Sequence, residues 1–292
     1  MTEAFDLNSG EVLEHWPTAF AIREVIANAL DEQVITGTQT PDVLRLGDER
    51  WAVRDYGRGI HYRHLTQAEN TEKLAHPGVI GKFGFGLNDA LAVFDRKGIG
   101  VTIRSRHGLI TTHQQPKAGF DDVLTLHGLV VPADEPDLVG SEVILDGVDD
   151  DDVAEAKGFF LRYTSEQVLE ENRYGQVIAR RDATAPGAVY VKGLRVAEEP
   201  RFLFSYNILG PDAKLSRALN RERSNVGRSA YSDRVKDILK AATSLAARLA
   251  ASPSSAIAPS SESPRSSPSR LRPARSAPAW KDSTTYSSAS VE

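Results

Sequence analysis

The chain has 292 residues, 40% hydrophobic and 26% charged, with a formal net charge of −5; that balance describes a globular protein of one or two domains and gives no bulk attraction toward nucleic acid. Cysteine is absent, which excludes disulfides, thiolate nucleophiles and cysteine-ligated metals and suits a reducing compartment. The acidic opening MTEAFDLNSGEVLEHW lacks the basic-then-apolar order of a secretory signal, and no apolar run reaches the roughly 18 residues of a membrane span. The expectation is a soluble intracellular protein, cytoplasmic or nuclear, with no membrane partner.

The first predicted element is a helix over about 17–35. Ile22, Val25, Ile26, Ala29 and Leu30 recur at the spacing of a face packed on a core. Glu24, Asn28 and Asp31, four and three residues apart, form a polar stripe at the edge of that face, either a solvated flank or one wall of a site. Two strands follow, DVLRLG and RWAVRD. In the second, Trp51, Val53 and Asp55 share a face, and the strand runs straight into Gly57 and Gly59. A carboxylate at the end of a core strand is costly unless donors reach it; taken alone, it reads as an Asp capping a glycine turn.

A loop, HYRHLTQAENTEKLAHPGV, leads to GVIGKFGFGLNDALAVF, where Gly81, Gly84 and Gly86 precede a helix starting near Leu87. Unpaired N–H groups and the positive dipole end make such a turn a phosphate cradle, although glycine-rich turns before helices are common. The runs GIGVTIRSRHG, LITTHQQ, DVLTLHGLVV and SEVILDGV read as successive hairpin-like strands, so the predicted class is α+β, a sandwich with helices on one face of a largely antiparallel sheet. Asp149–Asp152 opens a further helix as capping and dipole complementation rather than as a metal site. Another strand, GAVYVKGLRVAE, is expected between about 166 and 212, and YSDRVKDILKAATSLAARLA closes the folded part as a helix that Ser232 can cap. From about residue 251 Ser, Pro and Ala dominate, and so few core-forming residues imply a disordered tail. Its basic half, Arg265 to Lys281, is a solvated segment or a contact for acidic partners.

Three of these stretches, in this order and at these intervals, resemble the sequence boxes of the GHKL ATPases, the superfamily of DNA gyrase, the ninety-kilodalton heat-shock chaperone, histidine kinases and the mismatch-repair MutL protein. Glu24-x-x-x-Asn28-Ala29-x-Asp31 resembles the first box, Asp55-x-Gly57-x-Gly59-Ile60 the second, and Gly81-x-Phe83-Gly84-x-Gly86-Leu87 the third. Gly140-Ser141-x-Val143 is similar to the strand that closes the adenine pocket. The resemblance covers about 17–165, and its third box and GSEVIL strand are most similar to the chaperone branch. It implies a Bergerat-type two-layer ATP-binding domain over 1–165, a small α/β extension over 166–250, and the tail over 251–292.

The resemblance also implies ATP and Mg²⁺ as cofactors and assigns roles. Asn28 would be the metal ligand, Glu24 the base that activates water, and Asp31 a lining residue nearer the adenine. Asp55 would accept the adenine amino proton, with Gly57 and Gly59 admitting the base and Ser141 holding Asp55 or a water. Gly84 and Gly86 would wrap the phosphates. Lys82 either screens phosphate charge or is simply solvated. The interval between the second and third boxes would be a lid whose Asn70, Thr71 and Lys73 either reach phosphate or face water. Lys192 in VYVKG is a candidate γ-phosphate sensor, and LNRERSNVG (219–227) a dimer clasp, an anion site or a surface loop. His61 and His64 are three apart with no third metal ligand evident. No G-x-x-x-x-G-K-[ST] loop is present, and VYVK is followed by no H-R-D or D-F-G. The expected activity is ATP hydrolysis coupled to lid closure and to a nucleotide-dependent homodimer or a protein client; the alternative is a nucleotide-binding scaffold with little turnover.

Overall fold

The structure, a computed structural model, describes residues 3–7, 15–66, 73, 76, 78–81, 85–117, 120–182, 184–221 and 226–243. Asn70, Thr71, Lys82, Phe83, Gly84, much of LNRERSNVG and the whole tail from 251 lie outside the described residues.

Helix α1 (Thr18–Thr36) buries Ile22, Val25, Ile26, Ala29 and Leu30, the face its spacing announces. It stops at Gly37, whose φ of 67° is left-handed and whose N–H returns to the Gln33 carbonyl at 2.8 Å, a glycine C-cap. The strands β1 (Glu3–Asp6), β2 (Asp42–Gly47), β3 (Arg50–Arg54), β4 (Gly100–Ser105), β5 (Gly108–Lys117), β6 (Phe120–Val131) and β7 (Ser141–Asp146) form one sheet in the order β1-β6-β5-β4-β7-β3-β2. Every pairing in it is antiparallel. Alternate residues Val53, Val101, Ile103, Ile110, Val143 and Leu145 face one core with α1, with Leu91 and Phe94 of α3 (Phe85–Arg96), and with Val153 of α4 (Asp150–Gly158). The opposite face carries ion pairs: Arg104 binds Asp134, Glu135 and Glu142, and Arg50 binds Asp146. One apolar and one charged face on the same strands follow from the two-residue side-chain period. The fold is therefore α+β, with helices on one face of an antiparallel sheet. The short helix α2 (Arg63–Thr66) follows the turn that holds Gly57 and Gly59, and Asp149 caps α4 by accepting from the Asp152 N–H at 2.7 Å.

Beyond α4 the chain builds more sheet than its sequence announces. Where one strand is expected at GAVYVKGLRVAE, there is a hairpin of β10 (Gly187–Val191) and β11 (Leu194–Glu199). The turn is made by Lys192 and Gly193, both at positive φ (51° and 82°). With β8 (Val168–Asn172), β9 (Gly175–Ile178) and β12 (Ser205–Ile208) they form a five-stranded sheet ordered β11-β10-β12-β9-β8. Its separate core packs Val177, Val189 and Ile208 against Tyr231, Val235 and Ile238 of α6 (Arg228–Ala241), preceded by α5 (Ala213–Arg221). Ser232 does not cap α6. The helix begins at Arg228, and the Ser232 hydroxyl donates to the Arg228 carbonyl at 2.6 Å from inside it, the back-bond of an internal serine.

Candidate functional site

The polar stripe on α1 is a wall, not a flank. Glu24 and Asp31 are only 2% and 1% exposed, and Asn28 is half-buried. With Gly81, and with Gly86 and Leu87 in the first turn of α3, they line a pocket of about 30 Å³ into which Lys73 reaches. Asp31 takes the Ile80 N–H on Oδ1 at 2.6 Å and the Gly81 N–H on Oδ2 at 2.9 Å. The Lys73 ammonium lies 3.5 Å from Asp31 Oδ2 and donates to Asn28 Oδ1 at 2.7 Å. Burial pushes the Asp31 carboxyl above the ordinary range, against the pull of Lys73 and of the two amides. Asp31 thus fastens the start of the glycine segment to α1.

Glu24 is held by its neighbour in sequence. Arg23 Nε and Nη2 donate to Glu24 Oε1 at 3.1 and 2.8 Å. Arg23 itself is fully buried, its guanidinium 4.7 Å from the Phe20 ring, 5.2 Å from Phe159 and 5.5 Å from Trp16. Burial lowers its pKa to about 10, so it stays charged at neutral pH and stacks on its aromatic box.

A second cluster stands at the end of β3. The Asp55 N–H continues the ladder to the Ser141 carbonyl at 2.9 Å, and Asp55 Oδ1 accepts the Gly57 N–H at 2.9 Å. Asp55 is 5% exposed. Burial first, and Glu32 after it, raise its carboxyl, opposed by hydrogen bonds from Gly57 and Ser141. The Ser141 hydroxyl accepts the Ile60 N–H at 2.7 Å, and the Ile60 carbonyl accepts the Ser105 hydroxyl at 2.7 Å, so both ends of the glycine turn are anchored. Gly140, at φ 81°, makes this possible: a Cβ there would lie 2.0 Å from the Asp55 carbonyl oxygen.

Asp55 does not line the Glu24–Asn28–Asp31 pocket. The clusters meet through Glu32, which the sequence reading missed. Glu32 lies one turn beyond Asn28, and its side chain covers Gly57, where a Cβ would come within 2.3 Å of Glu32 Cγ. It accepts from Arg58 N at 2.9 Å, Nε at 2.8 Å and Nη2 at 2.9 Å. The two clusters share one field: burial raises the Glu32 carboxyl, but Arg58 and then Lys73 bring it below its usual value, while Glu32 raises Asp55. The signal for the pair was present as Glu32 at i+4 from Asn28 and Arg58 between two glycines.

The other sequence candidates fall outside the pocket. Lys192 Nζ donates to the Val79 carbonyl at 3.0 Å and lines a separate cavity of about 190 Å³ with Leu30, Val34, Phe160 and Arg162. The rings of His61, His64 and His107 lie close together, His61 being 6.3 Å from His64 and 5.3 Å from His107. Among the described residues no group of three metal-ligating side chains is arranged to hold an ion. No described helix is long and apolar enough to cross a membrane.

An uncharacterized protein of Mycoplasma pneumoniae (strain ATCC 29342 / M129 / Subtype 1) is 34% identical to this chain over 239 residues, covering 80% of this chain and 96% of that protein. The chain belongs to the family of that mycoplasmal protein. A second uncharacterized protein from the same strain is 34% identical over 113 residues, 38% of this chain and 32% of that one. The family described as the Mycoplasma pneumoniae MPN635 N-terminal domain matches residues 151–245, which span most of α4, the five-stranded sheet and the last two helices. Among solved structures, the ATPase region of Saccharomyces cerevisiae topoisomerase II is similar at a TM-score of 0.36 and 9% identity, covering 65% of this chain and 72% of that one. The ATPase and transducer domains of DNA topoisomerase II from Balamuthia mandrillaris are similar at a TM-score of 0.33 and 12% identity, covering 61% and 59%.

Proposed function

We propose that the chain binds ATP with Mg²⁺ and hydrolyses it. The observation that carries this reading is the placement of the first and third boxes around one pocket, with the second box joined to it through Glu32 one helical turn away. The donor set fits a hard cation: Asn28 Oδ1, a neutral carbonyl oxygen, already accepts from an ammonium at 2.7 Å beside the buried carboxylate of Asp31. Bound Mg²⁺ would supply charge neutralisation to the triphosphate.

The chain's own residues divide the remaining work. The amide groups at the start of α3, from Gly86 onward, receive phosphate oxygens; the resemblance adds Lys82, Phe83 and Gly84, which lie outside the described residues. Glu24 accepts the proton of the attacking water, help worth about 10²–10⁴ in rate. Asp55 accepts the adenine amino group through the acceptor capacity that Gly57 and Ser141 leave. Gly57, Gly59 and Ile60 shape the base cleft, and the Glu32–Arg58 pair forms its outer edge. In this reading residues 1–165 are the ATP-binding unit and 166–250 the extension. ATP-driven dimerisation or engagement of a protein client is the output. Kinship with the chaperone-like branch rests on the third box and the GSEVIL strand.

A second reading, a nucleotide-binding scaffold with little turnover, has one observation in its favour. Arg23 Nε and Nη2 both donate to Glu24 Oε1, so one oxygen of the proposed base is already engaged. Single-turnover hydrolysis separates the two. On the hydrolase reading Glu24→Ala binds ATP without turning it over, and Asp55→Asn loses binding. Wild-type protein that binds but never hydrolyses supports the scaffold. Unchanged turnover in Glu24→Ala removes Glu24 as the base.

A further inference from the structure

We propose that Lys73 is a built-in counter-ion that holds the cation position on Asn28 until nucleotide arrives with its own metal, so that loading the site and releasing this lysine from α1 are one event. The proposal rests on the ATP reading above and adds to it a competition between an ammonium and a divalent cation for the same oxygen.

Charge pairing along the stripe carries the argument. Glu24 is matched by Arg23 and Glu32 by Arg58. Asp31 is matched by Lys73, which is 13% exposed and lies 45 residues from Asn28 in sequence. With all three cations in place, a divalent ion added to the stripe meets a wall whose carboxylates are already neutralised. It also meets the ammonium itself. A metal on Asn28 Oδ1 and a Lys73 Nζ on the same oxygen would stand within about 5 Å of each other, a range at which like charges repel strongly. Room gives the same answer. The pocket retains about 30 Å³ with Lys73 in it, space on the order of one water; ligand pockets run to about 300 Å³ and more. Lysine suits the role because it is a compact point charge on a flexible stem, able to leave without dismantling a planar fork of bonds. Asp31 keeps its amide partners Ile80 and Gly81 when Lys73 goes, so the glycine segment stays fastened.

The test uses the full chain with two probes: Mn²⁺ alone, followed by electron paramagnetic resonance, and a fluorescent ATP analogue titrated at stepped Mg²⁺. Lys73→Met is expected to lower the half-saturating Mn²⁺ concentration without nucleotide by about tenfold or more, and the Mg²⁺ midpoint for analogue binding likewise. Lys73→Arg, which keeps the charge, is expected to stay within about twofold of wild type. Circular dichroism and thermal unfolding establish that each variant is folded. Equal Mn²⁺ binding by wild type, Lys73→Met and Lys73→Arg overturns the proposal, as does Mn²⁺ binding by none of them. If the analogue binds all three with one unchanged Mg²⁺ midpoint, the counter-ion role falls and the ATP reading stands. If Mn²⁺ binding shifts as expected but no variant binds the analogue, the ATP reading falls instead.

Discussion

Asp31 and Asp55 are both buried, both raised by that burial, and both close to the same helix, yet the chain commits them differently. Asp31 gives each oxygen to a backbone amide and its charge to Lys73. Asp55 takes the Gly57 amide and both the hydroxyl and the amide of Ser141, and the charge acting on it is that of Glu32, another carboxylate. An ionised carboxylate offers about four acceptor sites and three donors reach each of the two, so what separates them is charge: Asp31 faces the Lys73 ammonium and fastens a loop, while Asp55 faces the Glu32 carboxylate and gains more from a ligand's donor. Burial alone does not mark a binding carboxylate. A buried carboxylate that no cation of the fold offsets is the stronger candidate.

The largest expected effect separates the two on stability. Asp31→Ala orphans two amides and takes the carboxylate from beside Lys73, and is expected to lose about 3–5 kcal/mol in urea unfolding. Asp55→Asn is expected to stay within about 1 kcal/mol of wild type and still lose nucleotide. Equal losses would erase the distinction. Next comes the backbone beneath Asp55. Gly140→Ala places a methyl 2.0 Å from the Asp55 carbonyl oxygen at a φ of 81° and is expected to cost about 2–4 kcal/mol. Gly37→Ala, also left-handed but with nothing within 4 Å of its Cβ, is expected to cost about 1–2 kcal/mol. Matching losses would show that the close approach at Asp55 is not what Gly140 serves.

A pH titration sharpens the comparison further. Because the folded Asp55 carboxyl lies above its unfolded value, it takes up a proton earlier on acidification than a free aspartate, near 3.9. ATP affinity should therefore weaken as the pH falls, from a pH above that ordinary range, and Asp55→Asn should abolish that limb. The same shift sets the sign for stability: folding is penalised as the pH rises through the raised pKa, which is why Asp55→Asn is expected to be no less stable at neutral pH. The smallest effect belongs to Glu32→Gln. Its Arg58 partner is 47% exposed, so the loss is expected to be about 1 kcal/mol or less. Because the Glu32 pKa is held down, the pair's contribution is present above about pH 4.3 and fades as the pH falls through the lowered value. Urea midpoints at several pH values measure it.

Periodicity made the first sheet and α1 legible, because one strand face and one helix face are apolar and the other faces are not. Asp149 was readable as a cap for the same local reason. The second sheet was less so: the β10–β11 hairpin turns on Lys192, a non-glycine residue at φ 51° beside Gly193, and a lysine does not advertise a turn. Ser232 misled because a serine before an apolar run looks the same at a cap as inside a helix. The stripe of Glu24, Asn28 and Asp31 was visible as a stripe. Its division into an Arg23-held carboxylate, a lysine-bound amide and an amide-bound fastener depended on Arg23, Ile80, Gly81 and Lys73. None of these partners follows from spacing along α1. Glu32 and Arg58 each carried a local signal, but their pairing across 26 residues did not show in it.

The central claim, that the clusters at Asn28 and at Asp55 serve one adenine nucleotide, is tested most directly by equilibrium competition between ATP and GTP on the full chain with Mg²⁺. Adenine presents an amino donor where guanine presents a carbonyl acceptor, so a carboxylate at that edge should favour ATP by about tenfold or more. The account predicts that preference in wild type and, in Asp55→Asn, ATP binding weakened until it is no better than that of GTP. Equal binding of ATP and GTP, or a preference for ATP that survives in Asp55→Asn, would contradict it.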